Sequence, residues 1–167
     1  MRVIKFFVVG ESGIGKSLLV DTYLWKLHFG YAYHDHQIHG RRYHIQLKEI
    51  SQIDDLDEAI ISSRAGAEVR IYFNCFNVSI YQTFQMACDK WLKNILDKDP
   101  GCNIYLLGLL PDLKSRKLFN WRKNVNRNDC LNLCSNYDKL HYMKCSCLRV
   151  QSVREVFDFA LRSVLYN

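Results

Sequence analysis

The sequence predicts an α/β protein with about six mostly parallel strands and helices on both faces of the sheet. Two observations support this prediction. Short apolar runs typical of buried strands alternate along the chain with segments whose apolar residues recur at helical spacing. In addition, each such helix would connect two neighbouring strands and pack on the sheet. With 167 residues, 49% of them apolar, the chain has the size expected of one domain spanning 1–167.

Each predicted element has its own signal. The apolar run Val3–Val9 ends at a glycine and predicts a buried strand, and Lys16–Lys26 follows with helical spacing. Alternating residues on either side of Gly40 predict a hairpin, and we interpret the polar segment Ser51–Gly66 as a loop with one helical turn. The later elements are strand, helix, strand, short helix, strand and helix, over Val69–Val78, Tyr81–Leu96, Asn103–Leu110, Asp129–Asp138, Leu140–Cys145 and Ser152–Leu165.

Composition and charge restrict the compartment and the partners. The net charge is +6, but lysine and arginine are scattered, and we interpret their densest stretch, Lys114–Arg127, as a solvated surface. We therefore expect no nucleic-acid partner. An odd count of seven cysteines without a signal peptide predicts free thiols and a cytoplasmic location. The terminal residues Tyr166 and Asn167 do not form a prenylation motif, so we expect no lipid anchor.

A phosphate-binding loop is the strongest signal in the sequence. Gly10–Ser17 reads GESGIGKS and matches G-x-x-x-x-G-K-S in full, between a predicted strand and a predicted helix. The glycines allow successive backbone N–H groups to point at phosphate oxygens. Lys16 adds a positive charge, and the Ser17 hydroxyl is suited to ligate Mg²⁺. The loop predicts binding of a nucleoside di- or triphosphate.

Several further segments resemble the small GTPases of the Ras superfamily, and most of all its Rho/Rac branch. The resemblance extends from Val3 to Leu165. It rests on five segments whose sequences are similar to those of the family: Phe73-Asn74-Cys75-Phe76, Asp89-Lys90-Trp91, Leu106–Leu113, Lys144-Cys145-Ser146-Cys147 and Val153-Arg154-Glu155-Val156-Phe157.

This resemblance implies a P-loop NTPase fold, GTP or GDP with Mg²⁺ as ligands, and regulatory or effector proteins as partners. It implies that Asp112 accepts hydrogen bonds from the guanine base, while Ser146 and the backbone of Cys147 orient the base-reading loop. Glu49 would accompany Ser17 beside Mg²⁺. The implied nucleotide-binding residues are Gly10, Glu11, Ser12, Gly13, Ile14, Gly15, Lys16, Ser17, Leu18, Asp112, Ser146 and Cys147.

The sequence departs from the family pattern at the positions that hydrolyse GTP and switch conformation. The segment 29–39 is short and contains no threonine, Glu49 replaces an aspartate, and Gln52 replaces a glycine. Leu109 and Leu110 replace the asparagine or threonine and the lysine of the base-reading motif. Because hydrolysis requires a positioned water, we expect an atypical Rho-like GTPase with slow or absent hydrolysis. No catalytic residue is assigned, and Glu49 and Gln52 are the only candidates.

Three other interpretations remain open. The chain could be a pseudo-GTPase that serves as an interaction module without functional nucleotide binding, as Leu109 and Leu110 favour. It could be an active GTPase that positions water with Glu49 or Gln52. A P-loop kinase with Lys114–Arg127 as its lid is a further alternative, although the sequence shows no acceptor motif. The oligomeric state is not indicated.

Overall fold

The fold is an α/β sandwich around one sheet. A computed structural model describes residues 2–27, 33–38, 40–64, 69–110 and 124–166. In these residues six strands form the sheet, namely β1 (Arg2–Val9), β2 (Tyr33–Ile38), β3 (Arg41–Ile50), β4 (Val69–Asn77), β5 (Asn103–Leu110) and β6 (Leu140–Ser146). Their order is β2-β3-β1-β4-β5-β6.

Five of the strands are parallel, and β2 is antiparallel to β3. Ile38 pairs with Arg41, so two residues connect the hairpin, and Gly40 takes the left-handed conformation that such a turn requires, with φ +73°. The central strands are buried on both faces, which explains their nearly continuous apolar sequences. The predicted fold class and the hairpin are confirmed.

Helices cover both faces of the sheet. α1 (Lys16–Asp21) continues as a π-helical segment, Thr22–Leu27. The long helix predicted after β4 comprises three consecutive segments, which are α3 (Tyr81–Met86), a π-helical segment (Ala87–Leu92) and α4 (Lys93–Lys98). The others are α2 (Ile53–Ser63), α5 (Arg127–Cys134) and α6 (Val150–Leu165). Within the described ranges, no helix is long and apolar enough to cross a membrane.

The prediction of a loop over Ser51–Gly66 is wrong for most of its length, because α2 occupies Ile53–Ser63. Asp54 and Asp55 lie in its first turn, where acidic side chains interact favourably with the helix dipole. The solvent-facing side makes the segment look polar. The buried positions nevertheless follow helical spacing, at Leu56, Ala59, Ile60 and Ser63.

Two apolar clusters hold the helices against the sheet. On one face, Phe6, Phe73 and Phe157 pack together with ring centroids 4.9 to 5.2 Å apart. They link β1 and β4 to α6. On the other face Trp91 is fully buried against the sheet. Both clusters reach the loop that follows β1, through Ile14 on the first face and Val9 on the second. The core therefore supports the phosphate loop from below.

Candidate functional site

The phosphate loop connects the end of β1 to the start of α1. Three of its glycines have left-handed φ angles, +146° at Gly10, +76° at Gly13 and +109° at Gly15. At Gly10 a Cβ would lie only 2.5 Å from the carbonyl oxygen of Cys75, so no side chain fits there. The loop has the tight backbone geometry that glycine alone adopts without strain.

Lys16 is folded back over the loop. Its side chain is 2% exposed, and Nζ donates hydrogen bonds to the carbonyl oxygens of Gly10 at 2.9 Å and Glu11 at 2.7 Å. Burial lowers the pKa of the Lys16 ammonium below its usual value. The positive charge is thus held inside the loop. There, incoming phosphate oxygens would accept hydrogen bonds from the ammonium group in place of the two carbonyl oxygens or beside them.

Ser17 and Glu49 form the oxygen-rich side of the site. The Ser17 hydroxyl donates a hydrogen bond to Glu49 Oε1 at 2.9 Å, and both residues are exposed. Glu49 reaches this position because it pairs with Val8 in the parallel register of β1 and β3, one residue before either strand ends. A hydroxyl and a carboxylate are the ligand types that Mg²⁺ prefers.

The remaining candidate residues on the phosphate side differ in their exposure to solvent. Ile14 is buried, whereas Ser12, Gly13 and Leu18 are exposed around the loop. Gln52 is exposed immediately before α2, and its side chain does not cap that helix.

The turn after β6 contacts the phosphate loop. The Cys147 carbonyl accepts a hydrogen bond from Thr22 Oγ1 at 2.8 Å, and the Cys147 thiol donates to the carbonyl of Gly15 at 3.8 Å. The backbone N–H of Ser146 donates to Ser152 Oγ at 3.0 Å. Cys147 is therefore fixed beside the phosphate loop, and Ser146 is held against the start of α6. The third base-reading candidate, Asp112, lies outside the described residues.

Leu109 packs beneath the phosphate loop. It is 1% exposed, and its Cδ1 atom lies 3.6 Å from the position that a Cβ on Gly15 would take. The next residue, Leu110, is half-buried at the end of β5. An apolar contact thus supports the loop at the position where the family pattern has asparagine or threonine.

A contact between Glu11 and the helix after β4 also supports the phosphate loop, and the sequence does not predict it. Its Oε1 atom accepts hydrogen bonds from Lys90 Nζ at 2.8 Å and Trp91 Nε1 at 2.9 Å. Burial alone would raise the pKa of Glu11, but these two hydrogen bonds and the positive charges of Lys90 and Lys16 together outweigh it, and the pKa is lowered. The sequence marks Asp89-Lys90-Trp91 only as a family segment, because no local signal pairs it with a residue about 80 positions away.

The residues present fit a phosphate group with a hard divalent cation. Left-handed glycines, a buried ammonium group and a hydroxyl–carboxylate pair meet at the carboxyl ends of β1 and β3. Ligands of doubly wound sheets bind at this edge. The fold and the loop together define a P-loop protein of the small-GTPase class.

Comparison with known proteins gives the family. The Ras family model matches residues 5–166, and the chain belongs to this family. It is 25% identical to the Rho-related GTP-binding protein RhoV of Bos taurus over 180 residues, which cover 97% of this chain and 74% of the relative. The RhoV proteins of Mus musculus and Homo sapiens are each 24% identical with the same coverage. The chain is thus a distant Rho-like member of the Ras family.

Proposed function

We propose that this protein binds GTP or GDP with Mg²⁺ at Gly10–Ser17, hydrolyses GTP slowly or not at all, and acts through regulatory or effector proteins. In this proposal residues 1–167 form one small-GTPase-like domain. The observation that supports it most is the Ser17–Glu49 hydrogen bond beside the buried Lys16. A chain that had lost nucleotide binding would have no need to keep a buried lysine and a hydroxyl–carboxylate pair at one loop.

The ligands would be held by distinct parts of the site. Backbone N–H groups of Gly13–Ser17 and the Lys16 ammonium would hold the phosphates, and Ser17 with Glu49 would hold Mg²⁺ directly or through water. Mg²⁺, when bound, neutralises charge on the outer phosphates. On the base side, Asp112 and the backbone of Ser146 and Cys147 would contact guanine.

Slow hydrolysis follows from residue types around the outer phosphate. The segment 29–39 contains no threonine, and Gln52 stands where the family has the glycine whose N–H contacts this phosphate. Without those groups the attacking water is not held in line with the phosphorus. We expect a single-turnover rate slower than about 10⁻⁴ per second.

The nucleotide content of the purified protein tests the proposal. The protein is denatured, the released nucleotide is resolved by ion-exchange chromatography, and Lys16→Ala serves as the control. Near-stoichiometric GTP that is lost in the control supports both binding and slow hydrolysis. GDP instead would show that turnover survives and would favour an active GTPase that uses Glu49 or Gln52.

A second candidate, a pseudo-GTPase, is favoured by one observation. Leu109 is buried against Gly15, and with Leu110 it removes the polar side chains that the family uses near the base. If GTP and ATP added with Mg²⁺ both fail to bind, this candidate replaces the first. Equal binding of GTP and ATP would instead retain the phosphate site and contradict guanine selectivity.

A further inference from the structure

Two cysteines stand side by side where β6 leads into the turn beside the phosphate loop. Cys145 and Cys147 are separated by one residue, so their side chains share a face of the strand end and both join the same core cluster. The two thiols interact closely enough that each one shifts the pKa of the other. All the cysteines that the structure describes are free thiols.

The contacts of this pair lead directly to the proposed nucleotide site. Cys147 donates its thiol hydrogen to the Gly15 carbonyl at 3.8 Å, and Cys145 Sγ accepts a hydrogen bond from Ser152 Oγ at 3.9 Å. The Ser152 hydroxyl also accepts from the backbone N–H of Ser146 at 3.0 Å. Any change in the two sulfur atoms therefore alters contacts of both the phosphate loop and the turn after β6, which contains Ser146 and Cys147.

We infer that Cys145 and Cys147 form an oxidisable dithiol, which hydrogen peroxide converts to a disulfide that weakens nucleotide binding. The second part of this inference, the weakening of nucleotide binding, rests on the proposed function. Disulfide formation would draw the Cys147 sulfur away from Gly15 and twist the backbone of Ser146 and Cys147, which we expect to contact guanine. Within the described ranges no group of three or more metal-binding side chains includes the pair, which favours oxidation over metal binding.

The chemistry balances with one peroxide molecule. The Cys145 thiolate attacks peroxide, so that an S–O bond forms, the O–O bond breaks and hydroxide leaves. The Cys147 thiol then attacks the resulting sulfenic acid, forming the S–S bond and breaking the S–O bond. Water leaves with the thiol proton. The two sulfur atoms lose two electrons in total, and peroxide accepts them.

The assignment of Cys145 as nucleophile follows from the interaction between the two thiols. When Cys145 is ionised, the Cys147 thiol hydrogen turns from the Gly15 carbonyl to the Cys145 thiolate and lowers the pKa of Cys145, whereas this same contact and burial raise the pKa of Cys147. Only the thiolate reacts readily with peroxide. Both thiols are buried, but the adjoining turn is at the surface, with Leu148 48% exposed and Arg149 exposed. Local opening of this turn would admit peroxide, a molecule close to water in size.

The experiment combines a disulfide map with nucleotide release. The full chain is treated with hydrogen peroxide, alkylated and digested with trypsin. Because Lys144 and Arg149 flank the pair, one peptide spanning 145–149 carries both cysteines. We expect this peptide to lose two hydrogen atoms and to resist alkylation. Release of a fluorescent GDP analogue should become about tenfold faster, equivalent to the loss of one or two hydrogen bonds, and dithiothreitol should reverse the change.

Matched variants identify the thiols responsible. Cys147→Ala should abolish both the disulfide and the acceleration, whereas Cys88→Ser, which removes a half-buried thiol from another part of the fold, should retain both. An alkylated 145–149 peptide, a disulfide to Cys75 or acceleration that persists in Cys147→Ala would overturn the inference. If the reduced protein binds no nucleotide, the proposed function fails and so does the effect on release, while the peptide map still shows whether the dithiol exists.

Discussion

Ser17 and Glu49, which are 32 positions apart in the sequence, share a hydrogen bond of 2.9 Å. The bond joins the first turn of α1 to the end of β3, so it connects the phosphate loop with the segment that leads into α2. In the family pattern an aspartate stands at the position of Glu49. The longer glutamate still reaches the serine hydroxyl.

Removing this carboxylate should weaken the cation site. We expect Glu49→Gln to lower Mg²⁺ affinity about 10- to 100-fold, because a charged ligand near a divalent cation is replaced by a neutral one. The measurement is the release rate of a fluorescent GDP analogue as a function of Mg²⁺ concentration. Glu49→Asp is the control and should retain most of the affinity. An unchanged Mg²⁺ dependence in Glu49→Gln would show that Glu49 does not serve the cation.

The phosphate loop should tolerate a methyl group at Gly13 far better than at Gly10. Gly10→Ala places a Cβ 2.5 Å from the Cys75 carbonyl, whereas Gly13→Ala meets no atom within 4 Å. In both variants alanine must adopt a left-handed backbone conformation, which destabilises the folded state. Only in Gly10→Ala must β4 also move, because the new Cβ meets the Cys75 carbonyl. We expect losses in the free energy of unfolding of about 3 kcal/mol for Gly10→Ala and about 1 kcal/mol for Gly13→Ala. Urea denaturation of both proteins tests this, and equal losses would contradict it.

The Glu11 carboxylate should stabilise the phosphate loop through the helix after β4. Glu11→Ala removes the acceptor of Lys90 and Trp91, so we expect release of the GDP analogue about tenfold faster. Glu11→Gln keeps an oxygen acceptor without the charge and should have a smaller effect. If both variants release nucleotide at the wild-type rate, the contact has no role in binding.

Asp99 forms a partly buried network with Arg70 and Tyr72 near the amino end of β4, on the opposite side of the sheet from the phosphate loop. The Arg70 guanidinium donates two hydrogen bonds to its carboxylate, at 2.6 and 2.7 Å, and the Tyr72 hydroxyl donates one at 2.7 Å. Asp99→Asn should lower the free energy of unfolding by about 3 kcal/mol, because it leaves a cation without its partner. The exposed pair of Asp89 and Lys93 is the matched control, and Asp89→Asn should cost less than about 0.5 kcal/mol.

This network also predicts a pH dependence. Burial alone would raise the pKa of Asp99, but hydrogen bonds from Arg70 and Tyr72 and the positive charges of Arg70 and Arg64 together outweigh it, and the pKa is lowered. A carboxyl whose pKa is lower in the folded state contributes stability above its unfolded pKa of about 4 and loses it as the pH falls through the folded pKa. Urea denaturation from about pH 5 to about pH 2 should show this loss in the wild type and a smaller one in Asp99→Asn. Parallel pH curves for the two proteins would contradict the role of Asp99.

Much of the fold could be predicted because its signals are local. The strand Val3–Val9, the glycine loop and the helix after it are contiguous in sequence, and the alternation of strands with helices along the rest of the chain predicts a parallel sheet. The prediction failed at α2, where exposed acidic residues hid an apolar stripe of helical period. The roles of Asp112 and Gln52 stay predictions.

The sequence by itself determined the phosphate loop, since its glycines, Lys16 and Ser17 act within eight consecutive positions. Only the tertiary structure decided which distant groups support that loop. Cys147 meets Gly15 from 132 positions away, and Glu11 meets Trp91 from 80 positions away. The physical reason is that the backbone conformation of the loop depends on neighbours in sequence. Its hydrogen bonds and burial depend instead on sheet register and helix packing, which bring separate segments together at the carboxyl ends of the strands.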